Sequence, residues 1–168
     1  MVLEEREKGI IYDSIFLNFK FGYSKKQFFS EGWEQNKMGL IKHGPRNQRV
    51  LYTLNPKDSL SSPIQMLFYP DFDKNDRIKK MDIDFRYTAW APWNRRYFSD
   101  SLLVAVQDTL LNWYGGNDFL LVQYDQEPRK VWVKVDGNRR ISMRITNEQE
   151  VAAVISDLSN PEYSELTK

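Results

Sequence analysis

Residues 11–21 put Ile11, Ile15, Leu17, Phe19 and Phe21 on one parity and Ser14, Asn18 and Lys20 on the other, with Asp13 breaking the apolar side early. Alternation with a period of two predicts a half-buried strand, which Gly22 ends. Ser24 then offers an N-cap, with Gln27 three residues on as its capping-box partner and Tyr23 placed to staple onto Phe28. Phe29 and Trp33 follow at i and i+4, and Gly39 is a stop, so a helix of about four turns is expected, weakened by Gly32. After the turn at Gly44 and Pro45, residues 49–54 read as a strand that Asn55 and Pro56 break. Ile64, Met66 and Phe68 alternate in a strand that should end near Pro70, and residues 71–76 form a turn. From 78 to 89, Met81, Ile83, Phe85 and Tyr87 face one way and Asp82, Asp84, Arg86 and Thr88 the other, the cleanest alternation in the chain.

The second half follows the same order. Ser99 is a cap candidate, Asp100 suits the positive end of a helix, and Phe98 can staple onto Leu103. Leu102, Leu103, Val106, Leu110, Trp113 and Tyr114 form one stripe opposite Gln107, Asp108 and Asn112, and Gly115 with Gly116 stops the helix. A strand over 119–125 and a turn at 126–128 lead to Val131, Val133 and Val135. Asp136 with Gly137 signals a type I′ hairpin returning through Ile141, Met143 and Ile145. Residues 150–158 fit an edge strand or a short helix. The expected fold is α+β, a mostly antiparallel sheet with two helices on one face. A tandem β-α-β-β pseudo-repeat over about 10–76 and 77–158 accounts for the recurrence, flanked by a charged arm at 1–9 and a frayed tail at 159–168.

Composition narrows the chemistry. A chain of 168 residues buries roughly 70% of its unfolded surface and needs no metal or disulfide to hold a core. Twenty-four Lys and Arg against 23 Asp and Glu leave +1, without the basic excess of a nucleic-acid binder. There is no cysteine, which removes thiolate nucleophiles and Cys-type metal sites, and a single histidine, His43, removes multi-His sites. No cofactor motif occurs, and no apolar run approaches the ~18 residues of a membrane span. No signal-peptide stretch precedes the first expected strand, so the chain as written is expected to stay unexported; a periplasmic or envelope location follows only where a leader has been removed.

Aromatic residues make up 14% and cluster near turns. Residues 87–98 hold Trp90, Trp93 and Tyr97 around a proline loop beside Arg95 and Arg96, the residue types that dominate binding hot spots. These five are the expected contact surface, which requires at least two of the rings to be exposed together; the alternative is that they cover the end of the sheet. Asp71, Asp73 and Asn75 have the spacing of the opening of a calcium loop, but Asp76 replaces its glycine and Asp82 its bidentate Glu. His43 lies on a loop with no partner at a diagnostic spacing. Lys134, Asp136, Asn138, Arg139 and Arg140 read as a polar hairpin tip, either a solvated end or a rim for an anionic partner.

The stretch from Phe21 through Gly22, Tyr23 and Ser24 to Phe28 is a strand, then G-x-[ST] opening a helix, then a hairpin. It resembles the repeat unit of the β-lactamase-inhibitory-protein-like fold and is similar to the small lipoproteins of outer-membrane assembly, over about residues 18–54 with an echo in the second half. The resemblance implies a non-enzymatic, envelope-associated binding or scaffolding protein, with another protein as partner. There is no cysteine to carry a lipid, and no functional residue is carried over. The function expected is a protein-binding or scaffolding module. The rivals are a hydrolase or other enzyme using the carboxylates of 71–76 with His43, and a structural protein that self-assembles through an edge strand.

Overall fold

The computed structural model describes residues 2–123 and 129–163. Its elements are α1 (Val2–Glu7), α2 (Lys25–Lys37), β1 (Ile41–His43), β2 (Val50–Leu54), β3 (Ile64–Phe72), β4 (Ile78–Tyr87), α3 (Ser99–Tyr114), β5 (Leu120–Gln123), β6 (Lys130–Asp136), β7 (Arg139–Asn147) and β8 (Glu150–Asp157). The strands form one antiparallel sheet in the order β1-β2-β3-β4-β8-β7-β6-β5. The α+β class with its antiparallel sheet is therefore as the alternation indicated. The β-α-β-β repeat is not shown. Each half supplies a helix followed by a four-strand meander, and β4 closes the first meander instead of opening the second half.

Residues 11–21 hold no strand. Leu17 and Asn18 take positive φ, and the chain doubles back so that Ile15 N donates to Phe19 O and Phe21 N to Asp13 O, leaving one bridge between Ser14 and Lys20. The parity still buries Ile15, Phe19 and Phe21, but the reversal buries Phe16 as well. Ser24 closes α2 in a full capping box, its hydroxyl accepting from Gln27 N and Gln27 Oε1 accepting from Ser24 N. α3 begins differently: Phe98 is its N-cap without a side-chain bond, and Ser99 is already inside the helix, its N–H given to Glu148 O.

The sheet differs from expectation at five places, the first being that His43, expected on a loop, ends the short strand β1. β3 runs through Pro70, which is tolerated because β2 ends opposite Phe68 and leaves that side of the strand unpaired. β8 is central, seated between β4 and β7. The β6–β7 loop residues are Gly137 and Asn138, one later than expected, and Gly137 alone of the two has positive φ, so the turn lacks type I′ geometry. Lys134 pairs with the core residue Ile141 in register, so Trp132, Lys134 and Asp136 face the helices while Val133 and Val135 face away. The expected turn at 126–128 lies outside the described residues, as do 164–168.

One apolar core spans both halves. Phe28 of α2 and Leu102, Leu103, Val106 and Leu110 of α3 close on Met66, Phe68, Met81, Ile83, Phe85, Ile141, Met143, Ala153 and Ile155. On the opposite face a small cluster of Val133, Val135 and Leu158 takes Val2 of α1, so the expected charged arm is a docked helix. Residues 159–163 are docked as well: Asn160 bonds Asp73, and Glu162 bonds Lys74 N and pairs with Lys79. No helix among the described residues is long and apolar enough to cross a membrane.

Candidate functional site

α2 buries a narrow stripe. Phe28 and Gln35, seven residues apart, are its buried positions, and Gln35 is held by bonds from its Nε2 to Leu17 O and Glu31. Phe29 and Trp33, the i, i+4 pair of the sequence pattern, stand out of the core at 56% and 62% exposure. They form one wall of a groove of about 370 Å³ whose other wall is the β1–β2 hairpin, with His43, Gln48 and Arg49, and whose end is Tyr69. Ile41 and Val50 floor it.

Local chemistry fixes this shape. The end of α2 is tied to β1 by Asn36, whose Nδ2 donates to Ile41 O at 3.0 Å. Phe28 supports the wall from below, its ring 5.4 Å from Phe29 and 5.9 Å from Tyr69. The ammonium of Lys37 lies 5.6 Å from the centre of the Trp33 ring. Apolar walls with a few polar groups at the rim are the usual make-up of a site for a side chain or a small ligand. The signal in the sequence was the i, i+4 aromatic pair, but the pattern alone does not tell a buried pair from an open one.

The expected surface at residues 90–97 is largely self-covered. Trp93 is open at 84% exposure, but Trp90 is half-buried with its ring 5.9 Å from Phe98, and Tyr97 is half-buried 5.0 Å from Tyr87. Arg95 stacks on Phe98 at 4.3 Å and Arg96 on Tyr97 at 5.7 Å. The five residues do come together, at the start of α3, but they offer one free ring where the contact surface requires at least two.

The acidic turn is accounted for by its own hydrogen bonds and ion pairs. Asp73 Oδ1 accepts from Asn75 N and Arg77 N, and Oδ2 from Asn160. Asp71 pairs with Lys79 at 3.4 Å, and Asp76 pairs with Lys25 at 2.8 Å. Among the described residues no group of three His, Asp or Glu is arranged to hold a metal. His43 sits level with Phe68, two strands across and about 17 Å along the sheet from Asp73, so the imidazole and these carboxylates do not share a site.

The sheet face away from α2 and α3 is polar. Arg49 pairs with Asp84, Arg86 with Glu150 at 2.8 Å, and Arg140, Ser142 and Arg144 line a shallow basin with Asp82 and Ala152. Burial pushes the Asp84 carboxyl up in spite of the Arg49 guanidinium beside it. The hairpin tip expected to be solvated is buried: Lys134, Asp136, Asn138 and Arg139 are all enclosed, and Lys134 Nζ lies 2.6 Å from Asp136 Oδ2 and donates to Asn117 O. Comparison with family models, with curated proteins and with solved structures gives no match for this chain.

Proposed function

We propose that the chain is a non-enzymatic protein-binding module, and that it takes an apolar side chain of a partner protein in the groove between α2 and the β1–β2 hairpin. The observation that carries this is the pairing of Phe29 and Trp33, both open, over a concavity floored by Ile41 and Val50. Exposed aromatic rings beside a pocket are the elements that concentrate binding energy at interfaces, because each brings large area at low entropic cost.

The test uses the immobilised full chain to capture partners from lysate. Trp33→Ser should weaken the captured complex by roughly 30-fold or more, the range of a hot-spot residue, whereas Trp93→Ser should leave it unchanged. The reverse pattern would move the contact surface to the loop at 90–97. Size exclusion at two concentrations separates the self-assembly reading: a concentration-dependent dimer abolished by Trp33→Ser would make a second copy the partner.

A further inference from the structure

Arg139 is the least explained charge in the molecule. It opens β7 on the core side of the sheet and is 3% exposed. Its guanidinium lies against two rings, with Cζ 4.1 Å from the centre of Tyr114 and 4.6 Å from that of Tyr12. The one hydrogen bond it gives is a long one, from Nη1 to Ser14 O at 3.4 Å, and Nε has no partner. Among the described residues no carboxylate lies within ion-pair distance of it, and the nearby Asp136 is committed to Lys134 and to Asn117 N. Guanidinium stays charged in proteins and carries five N–H donors. Burying such a charge without an anion is costly, and stacking on two rings recovers only part of the loss.

The same side chain lines a cavity of about 620 Å³ between the reversal at residues 12–20, the end of α3 and β2. That volume falls in the ordinary range for a small ligand. Phe16, Tyr52 and Trp113 give it flat apolar walls. The rings of Tyr12 and Tyr114 lie against the guanidinium, whose planar fork of donors matches a carboxylate. Lys20, the other cation lining the cavity, is taken by Asp13 at 3.1 Å, which leaves one positive charge to answer. A single charge favours a monoanion over a phosphate. Burial also lowers the guanidinium's pKa, outweighing the opposite effects of Tyr114, Asp136 and Tyr12.

We infer that this cavity binds a small organic carboxylate with a flat apolar body, Arg139 serving as its counter-ion and Tyr52, Phe16 and Trp113 enclosing the body. The inference goes beyond the protein-binding reading and does not depend on it, since the groove beside α2 shares no lining residue with this cavity.

Titration of the full chain, followed by calorimetry and by the indole resonances, tests it with benzoate, phenylacetate and indole-3-acetate as probes. At least one of them should bind, and its neutral amide should bind roughly tenfold to hundredfold more weakly, the usual worth of a charge-assisted hydrogen bond. Inorganic phosphate should not compete. Arg139→Lys keeps the charge but loses the fork, and should reduce affinity for the acid while leaving that for the amide unchanged. The comparison of acid with amide needs only the unaltered protein, so it stands even where the substitution prevents folding. Equal affinity for acid and amide, no binding of any of the three acids at about 10 mM, or tighter binding of phosphate would each overturn the inference.

Discussion

Gly137 has φ of 55°, and a Cβ placed on it would lie 2.3 Å from the carbonyl oxygen of Ile10. Its N–H is given to Glu5 Oε2 at 3.2 Å, and the neighbouring Asn138 side chain bonds both N and O of Tyr12. The tip of the β6–β7 hairpin is thus a clamp on the N-terminal segment. Gly39 provides the contrast: it also has positive φ, at 74°, but a Cβ there meets nothing within 4 Å. Gly39→Ala should cost only the left-handed penalty, about 1 kcal/mol. Gly137→Ala adds a backbone collision to that penalty and should cost about 3 kcal/mol, read as a fall in denaturant midpoint at unchanged slope. Equal losses at the two sites would show that the tip yields freely. None of this was legible in the residues, because a run of Lys134, Asp136, Asn138 and Arg139 reads as solvated polar chain, and the segments that cover it lie more than a hundred residues away or in connections without a pattern of their own.

At the scale of elements, alternation and capping located most of what forms. The strands at 50–54 and 78–87 and both long helices form within the stretches the pattern marked, whereas the strand expected to end near Pro70 continues to Phe72 and Phe98, not Ser99, caps α3. The failures share a cause. A positive φ at Leu17 and Asn18 turns an alternating stretch into a reversal, and periodicity carries no sign of backbone handedness. The place of β8 in the sheet and the exposure of Phe29 and Trp33 depend on which element packs alongside, which no local pattern records. α1 is a case of the same kind, since a helix of six residues has no stability of its own. It is fixed through Glu5, which accepts from Lys8 at 2.5 Å, from Asn117 Nδ2 at 2.8 Å and from Gly137 N. The Lys8 ammonium first, then Asn117 and the Gly137 N–H, hold the Glu5 carboxyl down to about 2, against an ordinary 4.5. A folded pKa below the unfolded one means that the carboxylate contributes fully above about 4.5 and is lost as pH falls through about 2. The stability difference between the natural chain and Glu5→Gln should therefore be constant near neutrality and shrink between these values, followed by denaturant unfolding across pH. A difference independent of pH would show that shape, and not charge, seats α1.

At the scale of the whole molecule, the seam between β4 and β8 decides whether the halves act together. Register pairs Lys80 with Ser156 through Arg86 with Glu150, so the two meanders share a continuous ladder in the middle of the sheet. On the core side that seam presents Met81, Ile83 and Phe85 beside Val151, Ala153 and Ile155, all buried and all under α3. The reversal at 12–20 adds a second tie, with the Tyr114 hydroxyl at the end of α3 donating to Ile15 O. Neither half closes its apolar face alone: α3 of the second half packs on β4 of the first as well as on β7 and β8, and without β4 the strand β8 becomes an open edge. A continuous ladder over one shared apolar core is unlike the more polar interfaces between independent domains. Unfolding should therefore be a single transition, with calorimetric and van't Hoff enthalpies in agreement and far-ultraviolet and tryptophan signals coincident. The tryptophans make the comparison informative, because Trp33 reports α2 in the first half while Trp113 and Trp132 report the second half. Two resolved transitions, one moving the Trp33 signal alone, would show that the halves hold themselves and that the seam is only a contact between them.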